Sequence, residues 1–166
     1  MRRTQIRGWL LIFCLHASVM TIANAYYALR GWLRVIQFVP LYASSPTARA
    51  FGAYIAGQAA LETAFACLIG IGLSFTLSVD PRTRLYWRFA LPGAILCQAA
   101  ALLLSVLRHA TLAALRPSIR PLPLPPLVRL ALIFSSLGVW WFYWERSRRV
   151  IEAFPAAPGS SPSAAA

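Results

Sequence analysis

The sequence predicts an all-α membrane protein, a four-span transmembrane helical bundle with both termini on the cytoplasmic side. Three observations predict it. Hydrophobic residues make up 59% of the 166 positions and charged residues 12%, against about 45–50% and about 25% in ordinary globular domains. Four apolar stretches reach or approach the ~20 residues that carry a helix across a hydrocarbon core. The cations, all sixteen of them arginine, fall in short clusters between those stretches, where membrane topology is decided.

The first span is expected over Gly8 to Leu29, after the basic head "MRRTQIR". A rival reading is a secretory signal cleaved at "ANA" (Ala23 to Ala25), but the apolar run continues through "YYAL". That is longer than the usual signal core of about 7–15 residues, so an uncleaved anchor is expected. The second span covers Phe51 to Val79, and Asp80 and Pro81 stop it. The basic turn "SVDPRTRLYWR" then makes the second and third helices antiparallel neighbours. The third span covers Phe89 to Leu107, with Pro92 in its first turns, where an amide hydrogen is dispensable. "RPSIRPLPLPP" puts five prolines into one connection, which favours an extended stiff spacer or a docking segment for a proline-reading partner. The fourth span runs from about Leu127 to Trp144 and tolerates Arg129 because a guanidinium near a helix start can reach the head groups. Residues 1–154 thus form one transmembrane domain, and "PAAPGSSPSAAA", 155–166, is expected to be a disordered tail.

Four spans place both termini on one side, and the positive-inside rule selects the side. Arg2, Arg3, Arg7, Arg82, Arg84, Arg88, Arg146, Arg148 and Arg149 belong to one face of the membrane. Arg30, Arg34, Arg49, Arg108, Arg116, Arg120 and Arg129 belong to the other, where they are read as spread over two connections of about twenty residues. The first set is denser, so the ends are cytoplasmic. A net charge of +12 alone would suggest nucleic acid, but charges clustered between spans fit anionic lipid head groups and no nucleic acid.

The chemistry-bearing residues are few. Cys14, Cys67 and Cys97 lie singly in apolar stretches, without metal-ligand spacing, and read as packing residues. His16 and His109 fall toward opposite ends of their spans, so a shared haem is not expected. With no catalytic motif or phosphate-cradling loop, no catalytic residue, cofactor or metal is assigned. Glu62 is the one acid inside a span, which makes it a functional candidate. Gln58 precedes it by four residues on the same helix face. With alternating helices Glu62 and Asn24 fall in the outer half of the bilayer, and Gln98, Ser135 and Ser136 fall near mid-depth. These six are expected to form one interior polar layer, serving either as interhelical glue or as an ion or solute site. Gly52, Ala56, Ala60 and Ala64 repeat at four-residue spacing, a stripe for close helix packing within this chain or against a second subunit.

The closing stretch "VWWFYWERSRRVIEAF", residues 139 to 154, reads as an interfacial aromatic belt from Val139 to Trp144 followed by Arg146, Arg148 and Arg149 at the head groups. Val150, Ile151 and Phe154 are expected to fold back as a short amphipathic turn.

Two segments carry a resemblance. "IRGWLLIF", residues 6 to 13, resembles the opening of a bacterial inner-membrane family of unknown activity, domain of unknown function (DUF) 2569. Trp140, Tyr143, Ser147, Arg148, Arg149, Val150 and Phe154 resemble its closing pattern. Arg7 departs from the family's first glycine, arginine stands where lysines are usual, and Glu145 and Glu152 lie in or beside the motif. The resemblance implies a four-span protein of the inner (cytoplasmic) membrane of a bacterium and implies no reaction. The expected role is a non-catalytic membrane component that packs with itself or with a larger membrane complex. The alternative is a small transporter or ion-coupled protein that uses Glu62.

Overall fold

A chain in lipid must satisfy its amides internally, and a helix does this within each segment. The computed structural model describes residues 8–115 and 125–154, and these are helical apart from short turns. The elements are α1 (Trp9–Tyr42), α2 (Pro46–Leu77), α3 (Thr83–Leu115), α4 (Pro125–Arg146) and the short α5 (Arg148–Ala153). Among the described residues three helices are long and apolar enough to cross a membrane: α1, α2 and α3 through Leu112. The basic head with Arg2, Arg3 and Arg7, the proline-rich 116–124 and the tail 155–166 lie outside the described residues.

The helices are longer than the apolar runs. The first connection, expected as a loop of about twenty residues, is helical to Tyr42, so Arg30 and Arg34 stand on α1. Nothing between Leu29 and Pro40 ends a helix, since one glycine, Gly31, only weakens it. The real connection is three residues, Ala43 to Ser45. Ser45 caps α2, its Oγ accepting from the Ala48 amide at 3.1 Å, with Pro46 in the first turn where its missing amide hydrogen is harmless. Likewise α3 starts at Thr83, six residues before the apolar run, so Pro92 lies in the helix interior. Pro125 and Pro126, counted with the spacer, instead open α4. Gly8, at the cap of α1, has φ 62° and ψ −131°, a conformation open to glycine and closed to side chains.

Consecutive helices pack as antiparallel neighbours, α1 on α2, α2 on α3 and α3 on α4. The buried face of α2 is Gly52, Ile55, Ala59, Glu62, Phe65, Ile69, Gly72 and Thr76. Its steps of three and four residues keep one seam toward the neighbours. The predicted stripe does not: Gly52 is buried and Ala56 half-buried, but Ala60 and Ala64 are exposed. A strict four-residue step advances about 40° per repeat on a helix of 3.6 residues per turn, so the stripe turns off the seam. Close approach is supplied elsewhere: a Cβ at Gly31 would lie 2.8 Å from Ala59 Cβ, and one at Gly72 2.6 Å from the Trp87 ring.

One end of the bundle holds the main core. Phe13 of α1 packs edge-on against Trp87, Trp140 and Trp144, with ring centroids 4.8, 5.0 and 5.3 Å away. Trp87 stacks on Trp144 at 5.7 Å, and Phe154 closes the cluster at 5.6 Å from Trp144. These contacts bring α4 against α1 at this aromatic end. The expected interfacial belt is therefore corrected: Trp140 and Trp144 are buried, and Val139, Trp141 and Phe142 face outward. Of the fold-back trio, Val150 and Phe154 are buried through α5, while Ile151 is exposed, because the residue after Val150 points about 100° away.

Candidate functional site

Asn24 on α1, Glu62 on α2 and Gln98 on α3 are all buried and all lie fifteen residues from the aromatic end of their helices, counted from Trp9, Leu77 and Thr83. At 1.5 Å per residue that is one level, about 22 Å into the bundle. Gln98 was expected nearer mid-depth than the other two; the earlier start of α3 brings it level. Gln98 Nε2 donates to Asn24 Oδ1 at 2.9 Å and to Glu62 Oε2 at 3.3 Å. Asn24 Nδ2 donates in turn to the Met20 carbonyl at 2.8 Å. One amide group thus links three helices and serves the carboxylate, as burial of polar groups in lipid demands.

Two other members of the predicted layer stand apart. Ser135 is exposed, and Ser136 Oγ donates to the Ile133 carbonyl of its own helix at 3.0 Å. Both sit closer to the aromatic end than the layer does. Gln58, one turn beyond Glu62, lines a cavity of about 300 Å³ that opens above the layer. Arg30, Arg34 and Tyr27 line it from α1, Gln58 and Glu62 from α2, and Ser105 and Arg108 from α3. The Arg30 guanidinium lies 5.6 Å from the Tyr26 ring centroid, a contact that holds a cation near an aromatic face.

Sequence reasoning missed this cavity because it assigned Arg30, Arg34 and Arg108 to loops. The four-residue step from Arg30 to Arg34, on a helix with no stop signal before Pro40, is the pattern that places both on one face.

The histidines are separate. Trp140 Nε1 donates to His16 Nδ1 at 3.0 Å near the aromatic end, whereas His109 Nδ1 lies 3.3 Å from the Ser105 carbonyl. Cys14, Cys67 and Cys97 are free thiols, and Cys67 is exposed.

The C-terminal motif splits into buried and exposed parts. Trp140, Val150 and Phe154 are core residues, and Tyr143 packs against that core. Arg146 is exposed with its guanidinium 5.8 Å from the Phe142 ring centroid, and Arg148 is exposed. Ser147 starts α5 without a side-chain cap, its carbonyl accepting from the Val150 and Ile151 amides at 3.1 Å. The side chain of Arg149 lies outside the described residues. Arg88 pairs with Glu145 at 3.4 Å, joining α3 to α4 at the same end; an exposed pair of this kind contributes at most ~1 kcal/mol. No family model, curated protein or solved structure matches the chain.

Proposed function

We propose that the chain is a four-span protein of a bacterial inner membrane, with both termini cytoplasmic, α4 as the fourth span and no catalytic activity of its own. Its role is to pack with a second copy or a larger membrane complex, with lipid head groups around its basic end. One observation carries this reading. Ala60 and Ala64 are exposed on the face of α2 that also holds Cys67, and the described residues of their own chain do not cover them. Small residues on a lipid-facing helix permit another backbone to approach closely, the main source of association where lipid removes the hydrophobic drive. Kinship with DUF 2569 belongs to the same proposal and rests on the terminal motifs.

The test uses native Cys67 as the reporter. Oxidative cross-linking in membranes is expected to give a dimer of the 18.3 kDa chain, and replacing Ala60 and Ala64 together with leucine should abolish it. Failure to cross-link, with a single-chain mass by light scattering in mild detergent, would sink the self-association arm. A larger mass that collapses in the double leucine variant, again without the cross-link, would assign the face to a different membrane partner.

A second reading, ion-coupled passage of a small solute, has its own observation: Glu62 belongs both to the buried layer and to the cavity lining. Glu62→Gln should abolish proton- or ion-dependent flux in proteoliposomes while leaving assembly intact. Loss of folding instead would make the layer purely structural.

A further inference from the structure

We propose that the cavity bordered by Arg30, Arg34 and Arg108 binds an amphipathic organic anion, with its carboxylate or phosphate group among the guanidiniums. Its apolar body lies along an adjoining groove.

Charge balance is the first ground. The whole chain has four acidic side chains. Asp80 lies in the turn between α2 and α3, and Glu145 and Glu152 lie at the end of α4 and in α5, all at the aromatic end. Glu62 is therefore the only carboxylate side chain placed to face three guanidiniums. Arg108 is half-buried while Arg30 and Arg34 are exposed at the rim of the cavity, so two positive charges are left over in one recess, and a cleft lined by one sign of charge gathers an anion. Guanidinium pairs suit that task, because their planar forks bind carboxylate and phosphate in two-point fashion.

Shape is the second ground. A groove of about 420 Å³, bordered by Phe38, Tyr42, Phe51 and Leu112, shares Arg34, Ile55 and Arg108 with the arginine cavity. The two adjoin across these three residues, one a cationic section and the other an apolar one, each of a size suited to small molecules.

The order of the sections identifies the source. The arginine section lies next to the Glu62 layer, and the apolar section lies nearer the Tyr42 end of α1 and the Leu115 end of α3. A ligand seated here points its anion inward and its apolar body toward the helix ends. A bilayer lipid of the adjacent leaflet has the reverse order, so the ligand is a solute entering from that end.

The test is calorimetric titration of the purified full chain in a neutral detergent with 1-naphthyl phosphate. Inorganic phosphate serves as the head group alone and 1-naphthol as the body alone. Saturable binding of naphthyl phosphate is expected, tighter than either part. Arg34→Gln and Arg108→Gln should each weaken it about tenfold, the scale of one charge-assisted hydrogen bond, while Arg82→Gln at the aromatic end leaves it unchanged. Leu112→Asn should weaken naphthyl phosphate and spare inorganic phosphate. Each variant is first matched to the parent by its thermal unfolding midpoint. If Arg34→Gln or Arg108→Gln does not fold, the lysine variant replaces it and should lose a smaller part of the affinity.

Equal titration of the parent and the glutamine variants, or equal binding of naphthol and naphthyl phosphate, overturns the proposal. So does native mass spectrometry that finds a retained phospholipid which naphthyl phosphate fails to displace and Arg34→Gln releases, since that result gives the site to the bilayer.

Discussion

The aromatic end and the opposite end of this bundle hold helices together by different means in a solvent that supplies little hydrophobic drive between them. At the aromatic end Phe13, Trp87, Trp144 and Phe154 fill the space between α1, α3, α4 and α5, and of the two buried indoles Trp87 is hydrogen-bonded while Trp144 Nε1 has no partner among the described residues. Trp87 Nε1 donates to Thr76 Oγ1 at 2.8 Å, and Thr76 donates to the Gly72 carbonyl at 2.8 Å. About 22 Å away, α1, α2 and α3 meet through the Asn24, Gln98 and Glu62 amide and carboxyl groups, and beyond that layer lies a cavity with cationic walls. The first end is closely filled, with aromatic contacts of the edge and offset kinds that add to burial. Among the described residues the second keeps three guanidiniums around a cavity with one carboxyl group, Glu62, in its lining. The first end therefore supplies stability through packing, and the second supplies a cationic recess of the kind that attracts a counter-ion.

The largest expected effect tests the packed end. Trp87 is fully buried and touches Phe13, Tyr86 and Trp144. Trp87→Ala removes the centre of that cluster and leaves the Thr76 hydroxyl without its indole donor, and should cost about 3–5 kcal/mol. The midpoint of a mixed-micelle SDS unfolding titration reads it. An intermediate effect tests the other end. Gln98→Leu keeps the volume and removes both bonds to Asn24 and Glu62, so a loss of about 1–2 kcal/mol is expected, the upper range for interhelical hydrogen bonds in lipid. If Gln98→Leu proves as damaging as Trp87→Ala, the contrast between a packed end and a polar end is wrong, and the layer is the keystone of the fold.

Much of the contrast is legible in the sequence. The burial of Asn24, Glu62 and Gln98 together follows from polar side chains in apolar runs, because lipid forces such groups to find each other. Ser135 and Ser136 fail the same reasoning for a definable cause: a serine hydroxyl can satisfy itself on its own helix, as Ser136 does on Ile133, and so gives no information about neighbours. The arginine cavity is hidden when helix ends are placed where hydropathy falls instead of where capping chemistry begins. Ser45 and Pro46 mark the true start of α2, and moving that boundary returns Arg30 and Arg34 to a helix. The aromatic core passes for an interfacial belt because Trp suits both settings. Only the spacing of Trp140 and Trp144, four residues apart and therefore on one face, separates them from outward-facing Trp141 and Phe142.

The smallest effect tests whether the aromatic end is as relaxed as its packing implies. Where α2 stops, the Val79 amide donates to the Thr76 carbonyl at 3.2 Å and the Asp80 amide to the Phe75 carbonyl at 3.0 Å. This pattern closes a helix through one residue in the left-handed conformation, a place glycine usually takes. Val79 occupies it with φ 55°, although a β-branched side chain there is a rare outlier. The turn holds it by several bonds: Thr83 Oγ1 donates between the Phe75 and Asp80 carbonyls at 3.0 and 2.6 Å, and Asp80 Oδ1 accepts from the Arg82 amide at 2.7 Å. Left-handed backbone costs a side-chain-bearing residue about 1–2 kcal/mol, and the extra freedom of glycine in the unfolded chain returns roughly 0.5–1 kcal/mol of that. Val79→Gly should therefore stabilise the protein by about 0.5–1 kcal/mol, read by the same SDS titration, since the valine side chain is exposed and little packing is lost. Val79→Ala supplies the internal control, because it keeps the Cβ that causes the strain and should show no comparable gain. A loss of stability in Val79→Gly would mean that the side chain itself anchors the turn, and the strain at the aromatic end would then serve its packing.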